Sequence, residues 1–330
     1  MSLRHAAVAA LWVAVQPVFG AFAADGGLQQ TEALAWLQRI ASAARQLNYT
    51  GVFVYQAGEV TETSRIVHAV DGGVEVEKLE ALDGPPREII RRNDELVTYH
   101  PETRTVRAEK RRGARSFPAL LPEQLNSIAE HYEVRKAEVE RVAGFDAQVL
   151  LLEPRDQYRY GHKLWADTGT GLLLKAKMIG ERHQPIEQFA FTQLAIGGAI
   201  SRKQLESRYA LEAAGWRSER FSSNEASVSE PGWMIRGSAP GFRKILEMRR
   251  SREGVAGGSL THIVFSDGLA SVSVFIEPAV PRQKVAEGLT QQGAINIYYR
   301  GLGEHRVTVL GETPAATVKL IANTLAQTGK

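Results

Sequence analysis

Thr50-Gly-Val-Phe-Val-Tyr-Gln56, Val60-Thr-Glu-Thr-Ser-Arg-Ile-Val-His-Ala-Val70, Val74-Glu-Val-Glu-Lys-Leu79, Glu88-Ile-Ile-Arg-Arg92 and Leu96-Val-Thr-Tyr99 follow one another in an unbroken series. Each run has a period near two. Turn formers separate them: Ala57-Gly58, Asp71-Gly72-Gly73, Asp83-Gly84-Pro85-Pro86 and Asn93-Asp94, with Pro101-Glu102 closing the series. Short β-runs at close spacing with glycine, proline and Asx punctuation predict successive hairpins, an antiparallel meander.

Working outward, the meander has a helix before it and more strands after it. Leu34, Leu37, Ile40, Ala41, Ala44 and Leu47 recur at three- and four-residue spacing behind Thr31 as cap, so this stripe predicts an amphipathic helix. A helical patch is expected at Pro122–Glu130. Strands resume at Val134–Val142, Ala147–Leu152, Tyr158–Ala166, Leu172–Gly180 and Ile186–Ile196. Residues 24–216 therefore read as one large domain, a curved and mostly antiparallel sheet with few helices. Arg217–Glu230 carries hardly any apolar residue and reads as a linker, because such a stretch buries too little surface to order itself. Residues 231–330 read as a smaller antiparallel sheet-and-helix domain. Its strands are expected at Trp233–Arg236, Arg243–Met248, Leu260–Phe265, Ala270–Glu277, Ile295–Arg300 and Arg306–Leu310, with a short helix at Pro281–Leu289. Thr313-Pro314 opens a final helix with buried face Ala315, Val318, Ile321, Ala322 and Leu325. The fold class is α+β.

The first 23 residues carry one full charge, Arg4, then the apolar run Ala6–Val15 and the small-x-small triplet Ala21-Phe22-Ala23. This is the pattern of a secretory signal peptide cut between Ala23 and Ala24. The apolar run stops at about a dozen residues, short of the roughly 20 that a spanning helix needs. Cleavage removes Arg4 and lowers the formal charge from +3 to +2. An exported chain with so small a charge is a poor nucleic-acid binder. With no cysteine at all, thiol chemistry and cysteine zinc sites are excluded, and two cores must carry the stability that disulfides often carry outside the cytoplasm.

Catalytic patterns are few. Asp167-Thr168-Gly169 spells half of an aspartic-protease site, but that chemistry shares one proton between two carboxylates and this chain has one such loop. Flanked by Leu164-Trp-Ala166 and Leu172-Leu-Leu174, it reads as a hairpin turn. There is no G-x-S-x-G elbow. His68, His100, His131, His162, His183, His262 and His305 stand singly, without metal-ligand spacing. No catalytic residue, metal or cofactor is assigned.

Two features suit binding. Phe53, Tyr55, Trp165, Phe189 and Phe191 load the large sheet with rings, either as the lining of a lipid cavity or as a filled core. Arg104, Arg107, Lys110, Arg111, Arg112 and Arg115 form a basic run that either grips carboxylates or lipid phosphates or protects a strand edge.

Several strings resemble the RseB/MucB family: Leu34-Ala-Trp-Leu-Gln-Arg-Ile40, Leu47-Asn-Tyr-Thr-Gly-Val-Phe-Val-Tyr55, Glu80-Ala-Leu-Asp-Gly-Pro-Pro-Arg87, Tyr160-Gly-His-Lys-Leu-Trp165 and Phe265-Ser-Asp-Gly-Leu-Ala-Ser-Val-Ser-Val-Phe-Ile-Glu277. That resemblance implies a LolA-like open half-barrel followed by a small sheet-and-helix domain. It also implies a periplasmic regulator that binds the periplasmic segment of an RseA/MucA-type anti-sigma factor and shields it from proteolysis. Lipopolysaccharide or lipoprotein acyl chains are the expected signals, and a second copy of the chain is a further admissible partner. The rival functions are a periplasmic lipid or lipoprotein carrier and a cryptic hydrolase. On the small domain, Ile295, Ile297 and Tyr299 alternate with Asn296, Tyr298 and Arg300. Tyr298 and Arg300 are the expected partner contacts, with Arg243 and Lys244 adding charge to steer an acidic segment. The same residues also fit a plain solvated strand face.

Overall fold

The computed structural model describes residues 22–110, 121, 125–221, 232–236, 239–251, 259–279 and 286–327. Nearly all of the signal segment lies outside these residues, as do Arg111, Arg112 and Arg115. The first helix, α1, spans Phe22–Gln46. It begins well before Thr31, so Thr31 sits inside the helix instead of capping it. Cap residues signal a helix start only when the preceding chain leaves the helical region, and here Ala23 and Ala24 are themselves helical.

The expected meander is present as β1 (Tyr49–Ala57), β2 (Val60–Asp71), β3 (Val74–Ala81), β4 (Glu88–Arg92), β5 (Glu95–His100) and β6 (Thr105–Lys110). After α2 (Asn126–His131) a second meander runs through β7 (Tyr132–Val142), β8 (Phe145–Pro154), β9 (Gly161–Asp167), β10 (Leu173–Ile179) and β11 (Pro185–Ile196). Strand β11 returns to pair with β1, which joins the two meanders into one sheet. A short helix, α3 (Arg202–Leu205), precedes β12 (Arg217–Phe221). The sheet has twelve strands in the order β12-β6-β5-β4-β3-β2-β1-β11-β10-β9-β8-β7. Its two end strands do not pair with each other, so the sheet is open.

Strand β12 corrects the expected linker. Arg217–Phe221 pairs in parallel with Thr105–Glu109, although the segment has little apolar surface. The ladder hydrogen bonds supply what burial does not, because an edge strand such as β6 offers unpaired backbone groups to any extended neighbour. Residues 222–230 lie outside the described part.

Helix α1 lies across one face of the sheet, against β7 and β10. Its Ala33, Leu37, Ile40 and Ala41 pack with Phe53, Ile66, Leu150, Leu164, Phe189 and Phe191 as the main core. Gly51 decides how closely β1 and β11 approach there. A methyl group at that position would stand 2.6 Å from the Gln193 carbonyl oxygen and 2.9 Å from the Phe191 ring, beside a bulge between Val52 and Phe53.

The second unit starts with β13 (Trp233–Ile235) and continues through β14 (Arg243–Ser251), β15 (Ser259–Ser266), β16 (Ser271–Pro278), β17 (Gly288–Gln292), β18 (Ile295–Leu302) and β19 (His305–Gly311). It ends in α4 (Ala315–Thr324) and β20 (Leu325–Gln327). Six strands form an antiparallel sheet in the order β14-β15-β16-β19-β18-β17, and β13 pairs separately with β20. Gly288-Leu289, expected at the end of a helix, is instead the start of strand β17, paired with Tyr298 and Tyr299. Val318, Ile321 and Ala322 of α4 cover one face, against Val272, Val274, Val307 and Val309.

Gly51→Ala should overpack the β1–β11 contact and cost about 1–3 kcal/mol. A lowered urea midpoint at unchanged m-value is the expected result.

Candidate functional site

The large domain brings together four of its five ring-bearing candidates, Phe53, Tyr55, Phe189 and Phe191. The centroids of Phe53 and Phe191 are 5.9 Å apart, those of Phe53 and Phe189 6.5 Å, and those of Phe189 and Phe191 6.3 Å, all edge-to-face. All three rings are buried in the same core as the apolar residues of α1, and Tyr55 extends the row to a half-buried position. Trp165 does not join them. Strand alternation sends Leu164 and Ala166 to the α1 face and Trp165 to the opposite one. There it forms a separate small core with Val142, Ala147, Val149 and Leu174. A register shift between Lys136 and Val139 bends β7 over that face, and Glu140 accepts the indole N–H at 2.8 Å. Period-two patterning identified the rings, but it does not say which face of a doubly covered sheet each occupies.

Asp167 is a turn residue, as its flanks predict. Its Oδ2 accepts the Thr170 N–H at 2.6 Å and the Thr170 hydroxyl at 2.7 Å. Arg39 of α1 donates to the carbonyls of Thr168 and Gly169 in the same turn. This carboxylate is held in a structural role.

In the basic run, Arg104 occupies the turn before β6 at φ 46°, and its carbonyl accepts the Arg217 N–H at 2.9 Å. Arg107 meets Glu219 of β12 at 3.3 Å. Part of the run is thus matched by an acid from the segment expected to be a linker, while Lys110 closes β6.

On the small domain the expected alternation is inverted. Asn296 and Tyr298 are buried on the α4 side, whereas Ile295, Ile297 and Tyr299 are half-buried on the other. The Tyr298 ring packs in the α4 core, and its hydroxyl donates to Glu287. Arg300 donates to Asn323 of α4 at 2.6 Å. A tyrosine can enter a core when its hydroxyl reaches a partner, which is why hydrophobicity ranking chose the wrong face. Arg243 and Lys244 are exposed, with Lys244 meeting Glu247 at 2.7 Å. They lie on β14, the outermost strand of the small sheet, beside Ile245, which is 63% exposed.

The two domains meet at a junction that residue patterns did not single out. In the hairpin between β15 and β16, Asp267 Oδ1 accepts the N–H groups of Leu269 and Ala270 at 2.9 and 2.8 Å. This Asx turn pushes Leu269 against the main core of the large domain. Asp267 Oδ2 faces Arg159 Nε at 3.3 Å, and the two side chains are 1% and 0% exposed. Arg159 also donates to the Pro240 carbonyl, and its guanidinium lies 5.7 Å from the Tyr132 ring and 5.5 Å from the Phe242 ring. Alongside, Thr317 donates to the Tyr158 carbonyl at 2.7 Å, and Asn296 donates to the Tyr160 hydroxyl at 3.0 Å. The one available signal was the string Ser266–Glu277, whose Asp-Gly is turn chemistry with an acid to spare.

At the rim of the junction, desolvation and the neighbouring Glu312 carboxylate push Glu187 up to about 7. Desolvation raises Glu312 as well.

Comparison with known proteins covers nearly the whole chain. Residues 32–209 match the family described as MucB/RseB N-terminal domain, and residues 227–326 match MucB/RseB C-terminal domain. The sigma factor AlgU regulatory protein MucB of Pseudomonas aeruginosa is 33% identical over 92% of this chain and 94% of its own length. The sigma-E factor regulatory protein RseB of Escherichia coli K12 is 24% identical over 96% of this chain and 97% of its own. A crystal structure of MucB in complex with MucA(peri) aligns with a TM-score of 0.73 at 30% identity, covering 90% of this chain and 100% of that one. A crystal structure of MucB aligns with a TM-score of 0.58 at 28% identity, covering 89% and 98%.

The raised Glu187 has a definite pH signature. Its folded pKa lies above the unfolded carboxylate value, so between about 4.5 and about 7 the native state holds a proton that the unfolded chain has lost. Its contribution is most favourable below that window and is lost as pH rises through 7. Melting curves at pH 5 and pH 8 should show wild type losing stability across the interval, and Glu187→Gln losing less.

Proposed function

Because the chain belongs to the MucB/RseB family of sigma-factor regulators, we propose that it binds the periplasmic segment of a MucA-type anti-sigma factor and shields that segment from proteolysis. The observation that carries this reading is the fit along 90% of the chain to a MucB that was solved in complex with MucA(peri). Both domains take part in that fit. A lipid carrier built on the open sheet alone has no use for a second domain joined to it by a buried ionic contact.

Shielding a flexible segment from a protease calls for contact along an extended surface, not a single pocket. Edge strand β14 offers such a surface, with Arg243, Lys244 and Ile245 exposed in a row. Cations in that position steer an acidic segment during encounter, and an exposed isoleucine gives it apolar contact. Amphiphile sensing belongs to the Phe53, Phe189 and Phe191 face, which a lipid chain enters by displacing α1.

The site of action in this proposal is the periplasm, reached by export and cleavage between Ala23 and Ala24. N-terminal sequencing of the exported protein should start at Ala24; a soluble cytoplasmic chain starting at Met1 contradicts it. Isothermal titration of the mature chain with the periplasmic segment should show a one-site isotherm, and the bound segment should resist its initiating protease. Reversing both charges, Arg243→Glu with Lys244→Glu, should weaken binding several-fold, mostly through the association rate and more at low salt than at high. Unchanged binding would remove β14 from the interface.

A further inference from the structure

We infer that Arg159 and Asp267 form an interdomain latch that holds the two domains in the arrangement competent to bind the partner. The inference rests on the partner reading above and names the device that regulates it.

Three observations converge. First, the contact joins the domains and is fully buried: Arg159 comes from the loop before β9 and Asp267 from the β15–β16 hairpin, 3.3 Å apart, with side chains 0% and 1% exposed. Second, the surroundings reinforce it: Asp156 of the large domain holds the other side of the guanidinium, with its Oδ2 3.4 Å from Arg159 Nη1, and the flanking contacts across the junction are hydrogen bonds and close packing. Thr317 binds the Tyr158 carbonyl, Asn296 binds the Tyr160 hydroxyl, and Gly241 lies so close to His131 that any side chain there would collide with the ring. Third, this latched chain aligns with MucB in complex with MucA(peri) at a TM-score of 0.73 and with a crystal structure of MucB at 0.58. Coverage of this chain is 90% and 89%, and identity 30% and 28%, so neither accounts for the difference.

The chemistry suits a reversible catch. A buried ion pair recovers by Coulomb attraction roughly what its two members lose in hydration, so it adds little net strength and much geometric definition. Opening returns both charges to water, which keeps the open state within reach. A partner that contacts both domains then selects the closed one, and its apparent affinity falls in proportion to the closed fraction. Removing one member is different in kind: without Arg159 the Asp267 carboxylate stays buried with its cationic partner gone, and without Asp267 the guanidinium keeps only Asp156, on its own domain.

The test uses the mature chain, small-angle scattering and titration with the anti-sigma periplasmic segment. Asp267→Asn keeps an Oδ1 acceptor, so the hairpin turn survives, while the interdomain charge facing Arg159 is gone and only Asp156 of the same domain remains. Arg159→Met makes the matching change from the large domain, and Tyr160→Phe removes only the hydroxyl that Asn296 donates to. Asp267→Asn and Arg159→Met should enlarge the radius of gyration and raise Kd about tenfold, as a closed fraction near one tenth requires. Tyr160→Phe should move both readouts the same way by a smaller factor. Folded variants with the wild-type scattering profile and wild-type Kd would overturn the latch, and Tyr160→Phe keeps this decisive should the charge variants misfold. A wild-type chain that fails to bind while the charge variants still expand strikes the partner reading alone.

Discussion

An open sheet of twelve strands has a wide apolar face, and everything else in this protein follows from covering it. A sheet face must be buried against another layer, yet α1 is the only long helix that the described part of the large domain supplies. It packs against the end strand β7 and against β10, and its apolar residues share one core with the phenylalanine rings of β1 and β11. The small domain contributes Leu269 to the same core. On the opposite face, β7 folds back over Trp165. The domains are therefore joined by a shared core as well as by a connecting chain. Any force that lifts α1 or withdraws Leu269 exposes apolar surface on the same sheet.

Polar groups set the geometry of that joint. Leucine against leucine slides easily, whereas Arg159 between the Tyr132 and Phe242 rings, facing Asp267, admits one position. The contact is ionic more than a well-aligned hydrogen bond, since Arg159 Nε and Asp267 Oδ2 lack partners of hydrogen-bond geometry. Such a pair is costly to break from one side and cheap to hydrate when both sides leave together. The acidic residues at the rim act in the opposite sense: Glu187 and Glu312 resist ionisation where they stand, so the joint carries an electrostatic load that grows as the pH rises.

The regulatory reading and the architecture agree on scale. Protecting an extended segment calls for length, and the chain provides it in two sheets held in register. No helix among the described residues is long and apolar enough to cross a membrane.

Local pattern alone determined the hairpin series from Thr50 to Tyr99, the stripe of α1 and the turn at Asp167. Each of these depends on residues a few positions apart, where period, turn chemistry and propensity act directly. What the tertiary structure decided are the choices between faces and partners. Tyr298 faces inward because α4 and Glu287 receive it, Trp165 faces away from the phenylalanines because β7 bends over it, and Arg217–Phe221 is a strand because the edge of β6 lies free beside it. Arg159 and Asp267 meet across more than a hundred residues of sequence. No local pattern encodes that meeting, because its energy exists only once two separate cores have brought the charges out of water.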